Sequence, residues 1–250
     1  MMPSLFVSHG SPTLLIEEDS PGRKFLSSLG SHLEKPTAIL SVSAHWMTKT
    51  PKVTSNQQPK TIHDFYGFPP DLYEKSYDAE GAPDLAQDVA TLVGADLDDS
   101  WGLDHGTWVP LSFAYPDADI PVIQLSIQPE QDAQHHYDMG KKLESLRDKG
   151  VLIMASGGVT HNLRDIVRFN NDPDQWALDY ENWYVECLKN NDHDSLLKAD
   201  TLAPHFAHAH PSDEHWLPLY VALGAARNSA TLLHRGFEHK NLSMATARFD

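Results

Sequence analysis

Fifteen histidines stand against 19 lysines plus arginines in a chain of 250 residues. Imidazole titrates near neutrality without perturbation and is, when neutral, the commonest protein ligand for a metal, so this excess points to proton transfer, metal binding or both. Three histidines share a setting. His9 follows an apolar run at residues 4–8, and His45 follows one at 37–44. His161 lies a few residues past a third run at 151–155, at the end of Ser156-Gly157-Gly158-Val159-Thr160-His161. Runs of this length between turn residues read as buried strands. Ligands of an open α/β sheet bind beyond the carboxyl ends of its strands. Three imidazoles delivered to one rim suit a first-row divalent metal, which needs several neutral donors on rigid elements. A single histidine at a strand end is more often a structural residue; the shared position of three carries the argument. Gly10, Gly157 and Gly158 leave room for backbone to pass close to a bound group.

The elements that must position these residues are marked by periodicity and punctuation. A fourth apolar run, at 121–127, completes a set of short strands, and helical patterns fall between them. Ser20 and Pro21 form an N-cap and first-turn pair ahead of Phe25, Leu26 and Leu29, with Gly30 as the stop. Pro83 opens a second helix carrying Leu85, Val89, Leu92 and Val93. Residues 132–148 place Met139, Leu143 and Leu146 at helical spacing before Gly150. In 175–188, Trp176, Tyr180, Trp183, Tyr184 and Cys187 recur at three and four, a stripe that packs on a sheet. Ser212 is expected to cap a helix running to about Ala225 despite Pro218, and 230–239 with 241–249 to form a closing antiparallel pair. Strands alternating with helices predict a single three-layer α/β/α domain over residues 1–250, with a mostly parallel mixed central sheet. Segment 49–77 is long, rich in proline, glycine and aromatics, and without period, which predicts a functional loop over the site.

A net charge of −16 and a pI near 5.2 make the average surface repel phosphate backbones and anionic lipid heads, so neither nucleic acid nor membrane is expected as a partner. A single cysteine, Cys187, forms no internal disulfide and agrees with a reducing compartment. No leader or apolar stretch of about 18 residues is visible, and the location read is cytoplasmic. Oligomeric state is not legible.

The chemistry-bearing residues sit in motifs. His9-Gly10-Ser11-Pro12, Ser43-Ala44-His45-Trp46, Thr61-Ile62-His63-Asp64-Phe65-Tyr66-Gly67-Phe68-Pro69, Gly102-Leu103-Asp104-His105-Gly106-Thr107-Trp108 and Pro211-Ser212-Asp213-Glu214-His215-Trp216-Leu217-Pro218-Leu219 come in this order. Further echoes occur at 115–121 and 155–164. Together they resemble the class III extradiol ring-cleaving dioxygenases, in particular their 4,5-DOPA dioxygenase branch, over nearly the whole chain.

The resemblance implies one divalent metal per chain held by His9, His45 and His215, with His161 as acid/base or a possible fourth ligand. The wider superfamily commonly uses two histidines and a carboxylate, the facial triad of non-haem Fe(II) sites; this sequence presents a third histidine instead. Three neutral imidazoles suit Zn(II) about as well as Fe(II), so the metal is read as Fe(II) for turnover or Zn(II) as bound. The implied substrates are a catechol and O2, and the implied reaction opens the ring beside the diol, through a lactone, to a semialdehyde acid. His105 would hydrogen-bond a substrate or oxygen-derived oxygen, with a structural role as the alternative. His63 would close over the ring from the 49–77 loop, with loop packing as the alternative, and Trp46 would wall the substrate, with a place in the core as the alternative. Glu214, about 100° from His215 on a helix, is expected to point elsewhere.

The cluster His205-x-x-His208-x-His210 reads as mostly surface, since prolines bracket it and no strand holds it. Of His135 and His136 at most one faces inward, and His32, His193, His234 and His239 have no assigned partner. Arg164 and Lys60 are the candidates for a substrate carboxylate. Two rival functions remain, a zinc-dependent hydrolase, which lacks a His-Glu-x-x-His motif here, and a non-enzymatic metal-binding protein.

Overall fold

The computed structural model describes residues 1–250. Four parallel strands form its centre: β1 (Ser4–Ser8), β2 (Ala38–Met47), β5 (Val122–Ile127) and β6 (Val151–Gly157), lying in the order β5-β2-β6-β1. Beyond β5 lie β3 (Lys52–Thr54), antiparallel to it, and β4 (Asp96–Asp98). Beyond β1 lie β10 (Thr246–Phe249) and β7 (Ala230–His234), both running against their neighbours. A two-stranded ribbon, β8 (Phe237–Glu238) with β9 (Leu242–Ser243), stands apart from this eight-stranded sheet. The expected closing pair is thus present, interrupted by that ribbon.

Both sheet faces are covered because the central strands are apolar on both sides. Leu5 and Val7 of β1, Ile39 of β2, and Leu152 and Met154 of β6 enter one core, with Leu26 and Leu29 of α1 (Pro21–Leu29). Phe6, Leu40, Val42, Ile153 and Ala155 enter the other. The period-two alternation of strand side chains therefore sorts one run of apolar residues into two cores. The second core is covered by α2 (Pro83–Val93), α4 (Ala133–Leu143), α5 (Gln175–Lys189) and α6 (Leu217–Gly224), while α3 (His105–Ala114) lies with α1. This is the expected three-layer α/β/α arrangement. The guanidinium of Arg147, fully buried, donates to the carbonyls of Met2, Ala225 and Phe249, tying the start of β1, the end of α6 and the end of β10 to one point.

Two expectations about the site-bearing elements are corrected. Ser212 caps nothing: residues 212–216 form bends and turns, and α6 begins at Leu217. Pro218 is the physical reason, because proline has no N–H and fits best in a first helical turn; the helix starts where that proline becomes its second residue. The strand expected to stop at Ala44 continues to Met47, so His45 lies inside β2. Pairing of β2 with β5 shifts register between Val42 and Met47, and such an irregularity re-aims side chains.

Candidate active site

His9, His45 and His215, separated by up to 206 positions, place one ligand-capable atom each within 4.8 Å of one another. His9 leaves the end of β1, and its backbone N–H donates to the carbonyl of Gly157 at the end of β6. His45 is delivered by the irregular end of β2. His215 is pinned by Gly158, whose N–H donates to its carbonyl at 2.9 Å. The approach needs Gly157 beside it, where any Cβ would run into that same carbonyl. Gly106 does the same for α3, since a Cβ there would press on Ser43 and the His45 ring.

Hydrogen bonds fix where the protons lie. His9 Nδ1 is 2.9 Å from Ser156 Oγ, and Ser156 gives its only proton to the carbonyl of Gly106. Ser156 must therefore accept from His9, so Nδ1 carries the hydrogen and Nε2 presents a lone pair. His215 Nδ1 is 2.9 Å from Glu214 Oε1; a carboxylate only accepts, so here too Nε2 is bare, and it is buried without any partner. His45 Nε2 lies 3.0 Å from His9 Nε2. Burial first, then the neighbouring histidines, pushes all three well below the ordinary imidazole range, so none carries a charge at neutral pH. The His9 Nε2 lone pair either takes a hydrogen from His45 Nε2 or shares a cation with it, whereas His215 Nε2 has no partner in the protein. Donors about 2.1 Å from one ion stand about 3.0–3.4 Å apart, which the His9–His45 separation matches. The donor set fits a divalent metal.

Around this cluster stand three further groups. The His161 ring stacks on that of His215, 3.4 Å between centroids and 9° from parallel, and burial, with His105 adding, lowers it to about 4. His105, at the start of α3, lies 3.9 Å from the His45 ring centroid. Asp64 accepts from the His105 backbone N–H at 2.9 Å, while its other oxygen is 3.0 Å from His105 Nδ1, poorly aligned for a hydrogen bond, and 3.6 Å from His45 Nδ1. Burial alone would raise the Asp64 carboxyl; His105 and His45 outweigh it and hold it below its usual range. Beneath them Asp104 is buried, receives Ser43 Oγ at 2.6 Å, and is raised to about 6, chiefly by burial and then by the charge of Asp64.

A cavity of about 550 Å3 opens from the cluster to the surface, a size suited to a small aromatic ligand. His9, His45, Asp64, His105 and His161 line its floor, and Phe65, Tyr66, Phe68 and Pro69 wall one side. The 49–77 segment thus contributes the wall, but through residues other than the one singled out. His63 turns away, its Nε2 2.8 Å from the Lys75 carbonyl and its ring against Phe65, Tyr73 and Trp108. Trp46 is buried flat against Trp101 and does not reach the cavity. The assignment of these two to substrate is corrected accordingly: Trp46 is held by stacking on Trp101, and His63 by packing against Phe65, Tyr73 and Trp108.

Other histidines sort differently than their spacing implies. His210 is buried, not superficial, with Nε2 donating to the Val159 carbonyl at 2.9 Å. Residues 206–209 form a helical turn that folds it inward, while His205 and His208 remain half-exposed. His136 is buried and His135 is not, as helix geometry requires. Lys60 and Arg164 do not line the cavity; Glu17, Arg168 and His239 do. Asp64, Glu214 and Ser156 were missed as partners. Glu214 stood beside His215 in sequence, but the 100° argument assumed a helix, and a turn lets it fold back onto Nδ1.

A bundle of imidazoles at the carboxyl rim of a largely parallel sheet, opening into an aromatic-walled cavity, is the arrangement of a metalloenzyme that takes a small molecule. Residues 3–250 match the family described as the catalytic LigB subunit of aromatic ring-opening dioxygenase, and the chain belongs to that family. It is 40% identical over 256 residues to a 4,5-DOPA dioxygenase extradiol of Beta vulgaris, covering 98% of this chain and 96% of that one. It is 41% identical over 260 residues to a 4,5-DOPA dioxygenase extradiol of Escherichia coli K12, covering 99% and 94%. A crystal structure of an uncharacterized Escherichia coli K12 protein superposes with a TM-score of 0.81 at 35% identity over the full length of both chains. The protein is accordingly an extradiol dioxygenase that opens the ring of a catechol, and the hydrolase and storage readings are set aside. Extradiol dioxygenases of this family depend on a metal. No helix of the chain is long and apolar enough to cross a membrane.

Proposed function

We propose that His9, His45 and His215 hold one divalent metal through Nε2, that His161 is the acid/base, and that the substrate is a DOPA-like catechol, as the names of the relatives indicate. The observation that carries the metal assignment is the convergence of three neutral imidazoles, with His215 Nε2 buried and unpartnered. When bound, the metal supplies Lewis acidity toward the catechol oxygens and, if it is iron, a path for electrons from the ring to O2. Ser156 and Glu214 keep the protons of His9 and His215 on Nδ1, so both ligands stay oriented and basic. His161 enters the reaction neutral because burial disfavours its cation. It takes a hydroxyl proton from the catechol and returns it as the ring-opened product forms. Asp64 orients His105 toward the floor, where its ring is placed to hydrogen-bond an oxygen of the substrate or of O2. The apolar side chains of Phe65 and Phe68 exclude water from the ring. Both atoms of O2 enter the product, a semialdehyde acid. Cys187, buried and free, accords with a cytoplasmic location.

The test is oxygen uptake with DOPA after anaerobic loading with Fe(II) or with Zn(II). The expected result is uptake and a ring-opened product with iron alone; equal turnover without O2, or with zinc, would overturn the proposal.

A further inference from the structure

The cavity floor is histidine, but its outer half is built from a segment around residue 17 and one around residue 168. Only three charged side chains other than histidine line the whole cavity: Asp64, Glu17 and Arg168. Asp64 is committed to His105. The other two are not committed to anything. Glu17 lines the cavity and receives no hydrogen bond from the protein; its Oε1 is buried in the wall, where its charge helps to raise the carboxyl of Glu238. Arg227, Arg235 and Arg248 are each tied to a carboxylate, whereas the exposed Arg168 has none within ion-pair reach. The two stand around one place in the wall: His239, which also lines the cavity, is lowered by burial, with Glu17 opposing and Arg168 reinforcing.

A catechol seated with its hydroxyls toward the floor points its remaining substituent at this outer half. We infer that Glu17 and Arg168 are specificity-determining residues that read that substituent, Glu17 accepting hydrogen bonds from an ammonium and Arg168 donating to a carboxylate. The inference rests on the proposed seating of the diol. An α-amino acid side chain satisfies both; a propionate or acrylate satisfies Arg168 alone and sets its apolar carbon against a stranded Glu17. A planar guanidinium and a carboxylate pair through two parallel N–H···O bonds, which gives orientation as well as attraction. A site built to bond a polar group discriminates strongly against analogues that lack it, because its own groups are then left unpaired.

Four catechols with a common ring separate the contributions: DOPA, dopamine, 3-(3,4-dihydroxyphenyl)propionate and the neutral 4-methylcatechol. kcat/KM is measured for the iron-loaded wild type and for the Glu17→Gln and Arg168→Gln variants, each normalised to the same variant's rate with 4-methylcatechol. Glu17→Gln is expected to lower DOPA and dopamine by about 10-fold to 100-fold, the usual weight of a hydrogen bond to a charged group, and to leave the propionate equal or better. Arg168→Gln is expected to lower DOPA and the propionate by a similar factor and to spare dopamine. Normalised values that stay within 2-fold for the other three, or fall together regardless of charge, would overturn the inference while leaving ring opening intact. A wild type that opens none of the four would remove the seating on which the inference rests and overturn both.

Discussion

Replacing Ser156 by alanine tests whether the orientation of one ligand is set from behind. The hydroxyl does two things: it accepts from His9 Nδ1 at 2.9 Å and donates to the Gly106 carbonyl. Alanine leaves both of those buried groups without a partner, each at about 1–3 kcal/mol, and opens little space. The sum is about 2–6 kcal/mol, or roughly 4–24 °C in Tm for a chain of this size. The free His9 ring then loses the bond that holds its proton on Nδ1, and metal affinity is expected to fall by about 10-fold to 100-fold, as for other partners of metal-bound imidazoles. Ser8→Ala is the matched control. Ser8 Oγ is also buried and also bridges two backbone groups, donating to Ala245 at 2.8 Å and accepting from Val159 N–H at 3.2 Å, but it does not touch an imidazole. Competition with a chromogenic chelator gives affinity, and thermal unfolding of the metal-free forms gives stability. Both variants are expected to lose stability, and only Ser156→Ala to lose affinity beyond 3-fold. Equal affinities in the two variants would refute the reasoning about the tautomer.

His161→Ala is expected to retain metal, measured by elemental analysis, while kcat drops by about 10²-fold to 10⁴-fold, the usual contribution of a general acid/base; loss of the metal would make His161 a ligand. His210 supplies a pH test away from turnover. Burial lowers it to about 3, while the unfolded imidazole titrates near 6.5, so between those values the unfolded state binds the extra proton and stability falls as the pH falls. From pH 7 to 5 that one residue removes about 2 kcal/mol. Urea unfolding of the metal-free His210→Gln protein is expected to show a pH dependence shallower by that amount, and parallel curves would exclude the buried neutral imidazole.

The strands and most helices were legible because their signals are local: apolar runs of four to eight residues, Pro83 opening α2, Gly150 ending the helical stretch before β6. Where two local signals conflicted, as with Ser212 and Pro218, the steric one won. Convergence of His9, His45 and His161 on one rim was legible from topology. The partners of the imidazoles were not, because Ser156 meets His9 only through the register that sets Val7 opposite it, and Asp64 reaches His105 across 41 positions. Arg168 rather than Arg164 faces the cavity for a reason no periodicity encodes: the segment carrying both is an irregular loop. His63 and Trp46 were misplaced because aromatic motifs report proximity to a site without saying which way a ring turns.

β10 has a consequence for how the protein is made. It fills the slot between β1 and β7, and its last carbonyl is held by Arg147 together with that of Met2. During synthesis at about 5–20 residues per second, β1 therefore waits many seconds with one edge unpaired, and His9 waits at its end. The last of the proposed ligands, His215, is made only some thirty residues before β10. On the proposed ligand set the site thus stays open until His215 is made, 206 residues after His9, and a nascent chain that stops short of it carries an unpaired β1 edge and an open chelate, a species for chaperones rather than for a metal.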